Sequence, residues 1–261
     1  HWVSQQSDLK ALYQKDPGDY RVVAESPNAS LGTPALDLWG EDPAAPWRYV
    51  RFAVGSQGLD PQENALNKAL LQKVSPALGM TRWRYRIGWE GDSASIQRTG
   101  LKEDPRFLWT SAYQVAGPEE VLAKTLDPRF DPTRSTFFEE DPGFPSAIAA
   151  GSISITAKDL DSDRIEIALD ALRSGAVVIS DNYAKGWRAT GYPDSSQKEY
   201  RVLPANGFQR AVVMAPGHHH FMLEYRPAVF EVGKWISLLS WCFFVGGLLF
   251  FGLPARNPRG L

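Results

Sequence analysis

Three consecutive histidines, His218 to His220, follow Pro216-Gly217 directly. On a strand the first and third share a face and could hold a metal ion, but no third ligand accompanies them, so no metal site is expected. Asp159, Asp161 and Asp163 imitate the opening of a calcium loop, with Asp170 at its twelfth place. Arg164 stands where that loop requires glycine, and the apolar alternation on both sides favours a hairpin. Gly186-Trp187 falls where a turn meets a strand. Its indole could stack on the C–H face of a sugar or fill a core, and core is the more ordinary use. Asn206 and Arg210 flank Phe208 around a turn, and either could bond a hydroxyl or a phosphate, although Asn206-Gly207 also has the composition of a plain hairpin turn. Glu139, Glu140 and Asp141 beside Pro142-Gly143 read as a solvated turn. The sequence holds no G-x-S-x-G, H-E-x-x-H, Walker loop or dinucleotide fingerprint, so neither a catalytic residue nor a cofactor is expected from it.

These residues need elements to position them. From Gly151 the chain adopts period two: Ser152–Ala157, Arg164–Asp170, Gly175–Asp181, Gly186–Thr190, Glu199–Leu203, Phe208–Met214 and His219–Arg226 read as strands separated by turn residues. Such a run suggests an antiparallel β-sandwich over 146–230. Residues 1–145 read as a mixed α/β layer. Helices are expected at Ser7–Gln14, Pro61–Ser75 and Glu119–Lys124, and strands at Tyr20–Glu25, Arg82–Ile87, Ala94–Arg98, Phe107–Val115 and Ser135–Glu139. Between them, residues 26–47 are too rich in proline and glycine for regular structure, yet they include Trp39, Glu41 and Asp42. A long loop of that composition either contacts a ligand or packs over a core. The fold class is therefore α+β.

Trp235 to Leu253 contains no charged residue. At 1.5 Å per residue it reaches about 28 Å, close to the roughly 30 Å of a hydrocarbon core, and a transmembrane helix is expected over 231–254. Trp235, Trp241, Phe244, Leu248 and Leu253 are its anchoring residues, Lys234 lies at one end, and Pro254 with Arg256 and Arg259 lies at the other. The positive-inside bias puts the tail, 255–261, in the cytoplasm and the rest outside it. The single Cys242 lies within the apolar run, which leaves the remainder without disulfides or thiolate metal sites. Net charge is −2, with 28 Lys and Arg against 30 Asp and Glu, so no basic face for nucleic acid follows. The start shows no charged n-region followed by an apolar stretch, and export by earlier transmembrane helices of a longer chain is expected.

Asn182-Tyr183-Ala184-Lys185-Gly186-Trp187-Arg188-Ala189, then Pro204 to Val212, Ala215-Pro216-Gly217-His218-His219 and Leu223-Glu224-Tyr225-Arg226-Pro227 resemble in order and spacing the C-terminal region of bacterial YfhO-type membrane proteins. Upstream, Pro27-Asn28-Ala29-Ser30-Leu31, Gly40-Glu41-Asp42-Pro43 with Arg48-Tyr49, and Asp127 to Pro132 look similar to the same family, with a departure at Glu41, where an aromatic is expected. The resemblance implies a polytopic GT-C-like glycosyltransferase of the bacterial cytoplasmic membrane that takes sugar from a polyprenyl-phosphate carrier on the outer side. Its catalytic carboxylate would belong to an early loop outside this sequence. On that reading the chain contacts the bilayer, the upstream helices, and a lipid-linked sugar or cell-envelope glycopolymer. Trp39, Glu41, Asp42, Asn182, Trp187, Asn206, Arg210 and His219 are the candidate contacts. The rival expectation is a membrane-anchored carbohydrate-binding or scaffolding domain without transferase activity.

Overall fold

Leu9 and Leu12 lie one turn apart on α1 (Trp2–Lys15) and are both buried against Tyr20, Val22, Ala24 and Ile87. Asp16-Pro17-Gly18 stops the helix, and β1 (Arg21–Ala24) follows. β1 runs parallel to β2 (Leu36–Asp37) and to β3 (Trp83–Glu90), which pairs antiparallel with β4 (Ser93–Arg98); the order is β2-β1-β3-β4. The computed structural model describes residues 2–25, 33, 36–38, 46–60, 71–90, 93–147 and 153–252. Trp39, Glu41, Asp42, the Asn28-Ala29-Ser30 sequon, residues 61–70, Leu253 and the tail arginines lie outside the described residues.

Two expectations in the first half are corrected. A helix absent from the sequence reading, α2 (Trp47–Ser56), starts directly after Pro46 and buries Tyr49, Val50, Phe52, Ala53 and Val54. The described end of the helix expected over Pro61–Ser75 is irregular from Leu71 and leads into a 3₁₀ segment, Pro76–Thr81. Proline at its first position has no N–H to lose there. α2 packs on Val23, Leu78, Met80 and Trp83, and its Phe52 stacks on Phe208 at 4.1 Å between centroids.

The larger sheet begins upstream of residue 146. β5 (Phe107–Thr110) is its edge, followed along the chain by β6 (Tyr113–Val115), α3 (Pro118–Leu126) and β7 (Thr136–Phe138). Ser111 and Ala112 break the single strand expected over Phe107–Val115 into β5 and β6. β8 (Ile155–Asp159), β9 (Arg164–Ala171), β10 (Gly175–Asn182), β11 (Trp187–Gly191), β12 (Glu199–Ala205), β13 (Gln209–Met214) and β14 (Gly217–Tyr225) complete it.

The main path is β5-β10-β13-β12-β11-β14-β9-β8, antiparallel throughout, with β7 pairing β12 and β6 pairing β7 beside it. β11 and β12 share only the pairs Ala189↔Tyr200 and Thr190↔Glu199, and there the sheet turns a corner. The expected two sheets of a sandwich are thus one path that curls on itself. Val177, Ile179, Val212, Phe221, Leu223, Ile165 and Ile167 meet inside. Arg106, one residue before β5, pairs with Asp159 at the end of β8 at 2.6 Å, so a charge pair spans the gap between the two edges. β10 is buried on both faces because Phe138 and Phe144 cover its outer side, whereas β9 alternates buried and exposed.

Pro227 ends β14, and α4 (Ala228–Gly252) leaves the fold. Gly186 has φ 143°, and a Cβ there would lie 3.0 Å from Cα of Pro227, so the β10–β11 loop is pressed against the helix root. Arg226 N–H donates to the Gly186 carbonyl at 2.8 Å. The stretch Ala228–Leu248 has mean hydropathy 1.5 and none of its most apolar window is buried in the fold; its length and composition suffice to cross a bilayer. Trp235, Trp241, Phe244 and Leu248 are each more than half exposed. A chain ending at Pro227 is therefore expected to stay folded and soluble in buffer, while the chain with α4 needs detergent or lipid. Circular dichroism and sedimentation of the two forms check this, and free solubility of the longer one contradicts it.

Candidate functional site

The segment that includes Asn182, Trp187 and Arg210 is built around a carboxylate that sequence reasoning passed over. Asp181, near the end of β10, has a side chain only 11% exposed and receives four guanidiniums. Arg210 of β13 donates Nη2–H to Oδ2 at 2.9 Å, and Arg106 reaches the same oxygen with Nη2 at 3.0 Å. Arg21 of β1 binds Oδ1, and Nη2 of Arg82 lies 3.7 Å from it. Arg82 precedes β3 with a left-handed φ of 63°, and its Nη1 also donates to the Asp19 carbonyl at 2.6 Å.

Burial would push the Asp181 carboxyl up, but Arg21, Arg210, Arg106 and Arg82 together hold it well below the usual carboxylate range. The arginines differ among themselves. Burial pulls Arg210 down to about 10 against the opposing pull of Asp181 and lowers Arg82 against the pull of Asp19, whereas at Arg106 the same burial is outweighed by Asp159, Asp181 and Asp19, which raise it. A carboxylate held ionised this firmly cannot trade protons near neutral pH, so it does not serve as a general acid or base.

Trp187 and Arg210 do come together. The Arg210 guanidinium lies 3.6 Å from the centroid of the Trp187 ring, and Tyr225 neighbours the same indole at 5.3 Å. Trp187 also packs against the barrel interior. Asn182 sits opposite Gln209 across a bulge in the β10–β13 ladder. Asn206 is fully buried at φ 47°; its Oδ1 accepts the Phe137 N–H at 2.9 Å and its Nδ2 donates to Gln209 at 2.8 Å, which ties β7 to β12.

His219 lies elsewhere, fully buried on β14. Its Nε2 faces the Ala215 carbonyl at 2.8 Å, so that nitrogen carries the proton and Nδ1 accepts from the Tyr200 hydroxyl at 2.9 Å. The relay continues without conflict: Ser195 donates to Tyr200 at 2.6 Å and accepts the His220 N–H at 3.1 Å. Burial lowers the His219 pKa, consistent with a neutral ring locked at both nitrogens. His218 and His220 share the outer face among carboxylates: His218 meets Asp170 at 2.7 Å, His220 lies between Glu166 at 2.8 Å and Asp194 at 3.1 Å, and Asp194 is also 3.9 Å from His218. Glu166 and then Asp194 raise the His220 pKa. Among the described residues no group of three His, Cys, Asp or Glu side chains is disposed to hold a metal. Asp161 accepts the N–H of Asp163 at 2.9 Å and pairs with Arg164, inside the β8–β9 hairpin.

No family model, curated protein or solved structure matches this chain.

The acidic turn at Glu139 is also corrected. Its side chain is only 10% exposed and accepts both terminal nitrogens of Arg48 on α2, with Nη2 at 2.7 Å. Arg48 lies over Tyr183, next to Asn182, at 5.5 Å. α2, the β10–β11 loop and the turn at Asn206-Gly207 therefore surround one patch of surface.

Two predictions follow from the charges. Asp181→Asn leaves buried guanidiniums uncompensated and is expected to lower unfolding stability by about 3–5 kcal/mol, measured by urea denaturation at neutral pH. Because the folded pKa of Asp181 is depressed, its contribution is fully present above the ordinary carboxylate range and is lost as pH falls through it toward the folded value. Asp104 behaves in the opposite sense. Burial, reinforced by Asp131 and opposed by Lys102, raises it to about 6, so its ionisation weakens the fold as pH rises through that value. Asp104→Asn should raise the Tm at pH 7.5 and leave it little changed at pH 4.

Proposed function

We propose that this chain is the extracytoplasmic C-terminal module, with the last membrane helix, of a GT-C-like polytopic glycosyltransferase of YfhO type. In this reading it covers the outer active side of the enzyme in the bacterial cytoplasmic membrane and positions a polyprenyl-phosphate-linked sugar or an acceptor glycopolymer. Catalysis itself belongs to a carboxylate in an early extracytoplasmic loop outside this sequence, and the C-terminus is cytoplasmic.

One observation carries the reading: the candidate face and the membrane helix occupy the same end of the barrel. Trp187 pairs with Tyr225, two residues before Pro227, and Arg210 covers its ring. Two of the stretches that carry the family resemblance, 182–189 and 223–227, meet at that root through the Arg226 to Gly186 hydrogen bond. A face beside the helix root suits a lipid-linked substrate, whereas a membrane-anchored carbohydrate-binding or scaffolding domain without transferase activity has no need to place its aromatics there.

Membranes carrying the natural full-length protein should transfer labelled sugar from undecaprenyl-phosphate-glucose, or another undecaprenyl-phosphate sugar, to envelope glycopolymer, and membranes from a deletion strain should not. Identical labelling in the two membranes leaves the binding or scaffolding alternative. Trp187→Ala should reduce product at an unchanged protein level; loss of the protein would assign the indole to the fold alone.

A further inference from the structure

Two adjoining hollows open between α2 and the β10–β11 loop and share Arg48, Glu139 and Pro118 in their walls. The first, about 130 Å³, is completed by Trp47 and Arg51 of α2 with the Gly207 turn. The second, about 390 Å³, is completed by Tyr183, Lys185, Glu140 and Pro204. The bidentate Arg48–Glu139 pair is thus the septum of one two-lobed cleft, and the larger lobe falls in the range of roughly 300–1,000 Å³ that holds small ligands.

Its chemistry selects a ligand class. Arg48 pairs with Glu139, Arg51 with the exposed Glu119, and Glu140, which shares its lobe with Lys185, lies 3.7 Å from Arg201. The guanidiniums of the cleft are thus already met by carboxylates, so a multiply charged phosphate finds Lys185 rather than a cluster of free cations. Trp47, 54% exposed, lines one end of the cleft and leaves its indole open to a ligand there. Guanidinium N–H groups point in from Arg48 and Arg51, and carboxylates from Glu139 and Glu140 accept, so neighbouring hydroxyls can be met by both donors and acceptors. A flat apolar face beside alternating hydroxyls is the surface of a pyranose ring. Arg48 also donates to the Gly207 carbonyl at 3.4 Å and lies over Tyr183, which holds the septum in place between α2 and the β10–β11 loop.

We propose that this cleft binds an uncharged saccharide unit, with Trp47 as the stacking platform and the Arg48–Glu139 pair as the hydroxyl reader. The inference deepens the transferase reading by naming the site and the ligand class, and it rests on that reading only for where the sugar comes from. The larger lobe abuts the α4 root through Lys185-Gly186, so a sugar there sits at the helix end of the barrel.

The test uses the full chain in lipid nanodiscs and saturation-transfer NMR with methyl β-glucoside, N-acetylglucosamine, galactose and rhamnose, with inorganic pyrophosphate in a parallel titration. At least one sugar should receive saturation on its ring C–H protons. Trp47→Ala should weaken its binding about tenfold or more, while Leu172→Ala, in the exposed loop between β9 and β10, should not change it. Since Trp47 is exposed, its removal should leave the circular dichroism spectrum intact; Tyr183→Phe, which keeps the ring, supplies a second variant with a smaller loss. Tighter binding of undecaprenyl-phosphate-glucose than of methyl β-glucoside would assign the sugar to the lipid-linked donor, and equal binding to the glycopolymer. Absence of binding by every sugar, preference for pyrophosphate, or unchanged binding by a folded Trp47→Ala variant would overturn the cleft. Sugar binding in a protein whose membranes transfer no sugar overturns the transferase reading and leaves the cleft standing.

Discussion

The structure depends on one carboxylate that four arginines cannot do without. Arg21 and Arg82 come from the smaller sheet, Arg106 and Arg210 from the larger, and Asp181 is the anion they share. Burial makes the arrangement asymmetric. The anion gains from every cation near it, whereas Arg210 gives up hydration for a share of that one charge and Arg82 and Arg106 find further carboxylates in Asp19 and Asp159; Nε of Arg21, Arg82 and Arg210 finds no hydrogen-bond partner among the described residues. Such a cluster contributes less net stability than its number of ion pairs suggests, but it tolerates only one geometry. The apolar seam beside it, Phe52 on Phe208, supplies the adhesion that the charges orient.

That constraint explains what was legible in the sequence and what was not. α4 was readable from composition alone, because nothing but length and the absence of charge decides whether a segment dissolves in lipid. β9 and β14 were readable because one face of each is buried and the other wet, which writes period two into the residues. α2 did carry a helical pattern, with Arg48, Arg51 and Gly55 on one face and Tyr49, Val50, Phe52, Ala53 and Val54 on the other, but it is short, follows a proline-rich stretch and is built from weak helix formers such as Trp, Tyr, Val and Phe, so the pattern was passed over. It is helical because the surface formed by Val23, Met80, Trp83 and Phe208 accepts a helix there.

The candidate contacts show the same division. Trp187 and Arg210 were singled out separately, and their meeting was invisible because it depends on the β11–β12 corner. Asp181 was passed over as the last residue of a strand, since its nearest partner in sequence, Arg210, is 29 residues away and Arg21 is 160 away. Asn206 and His219 had the residue types of ligand contacts but use every polar atom inside the fold, Asn206 holding β7 to β12 and His219 closing a relay through Tyr200 and Ser195. Polar side chains in a buried turn are spent on backbone and neighbour groups before any ligand can use them.

The position of the cleft then follows from the position of the helix. Gly186 can approach Pro227 only because it lacks a Cβ, and its neighbours Tyr183 and Lys185 line the larger lobe. With α4 in a bilayer, the β10–β11 loop is held between the membrane root on one side and the Arg48–Glu139 septum on the other. On the proposed reading a ligand in the cleft would lie close to the helix root, separated from it by the few residues of the β10–β11 loop. The loop at Leu172 and the histidine-rich start of β14 lie at the other end of that strand, because Ala171 pairs with Gly217 while Arg164 pairs with Glu224. The strand register therefore separates the two surfaces, and only the one at Gly186 touches the root of α4.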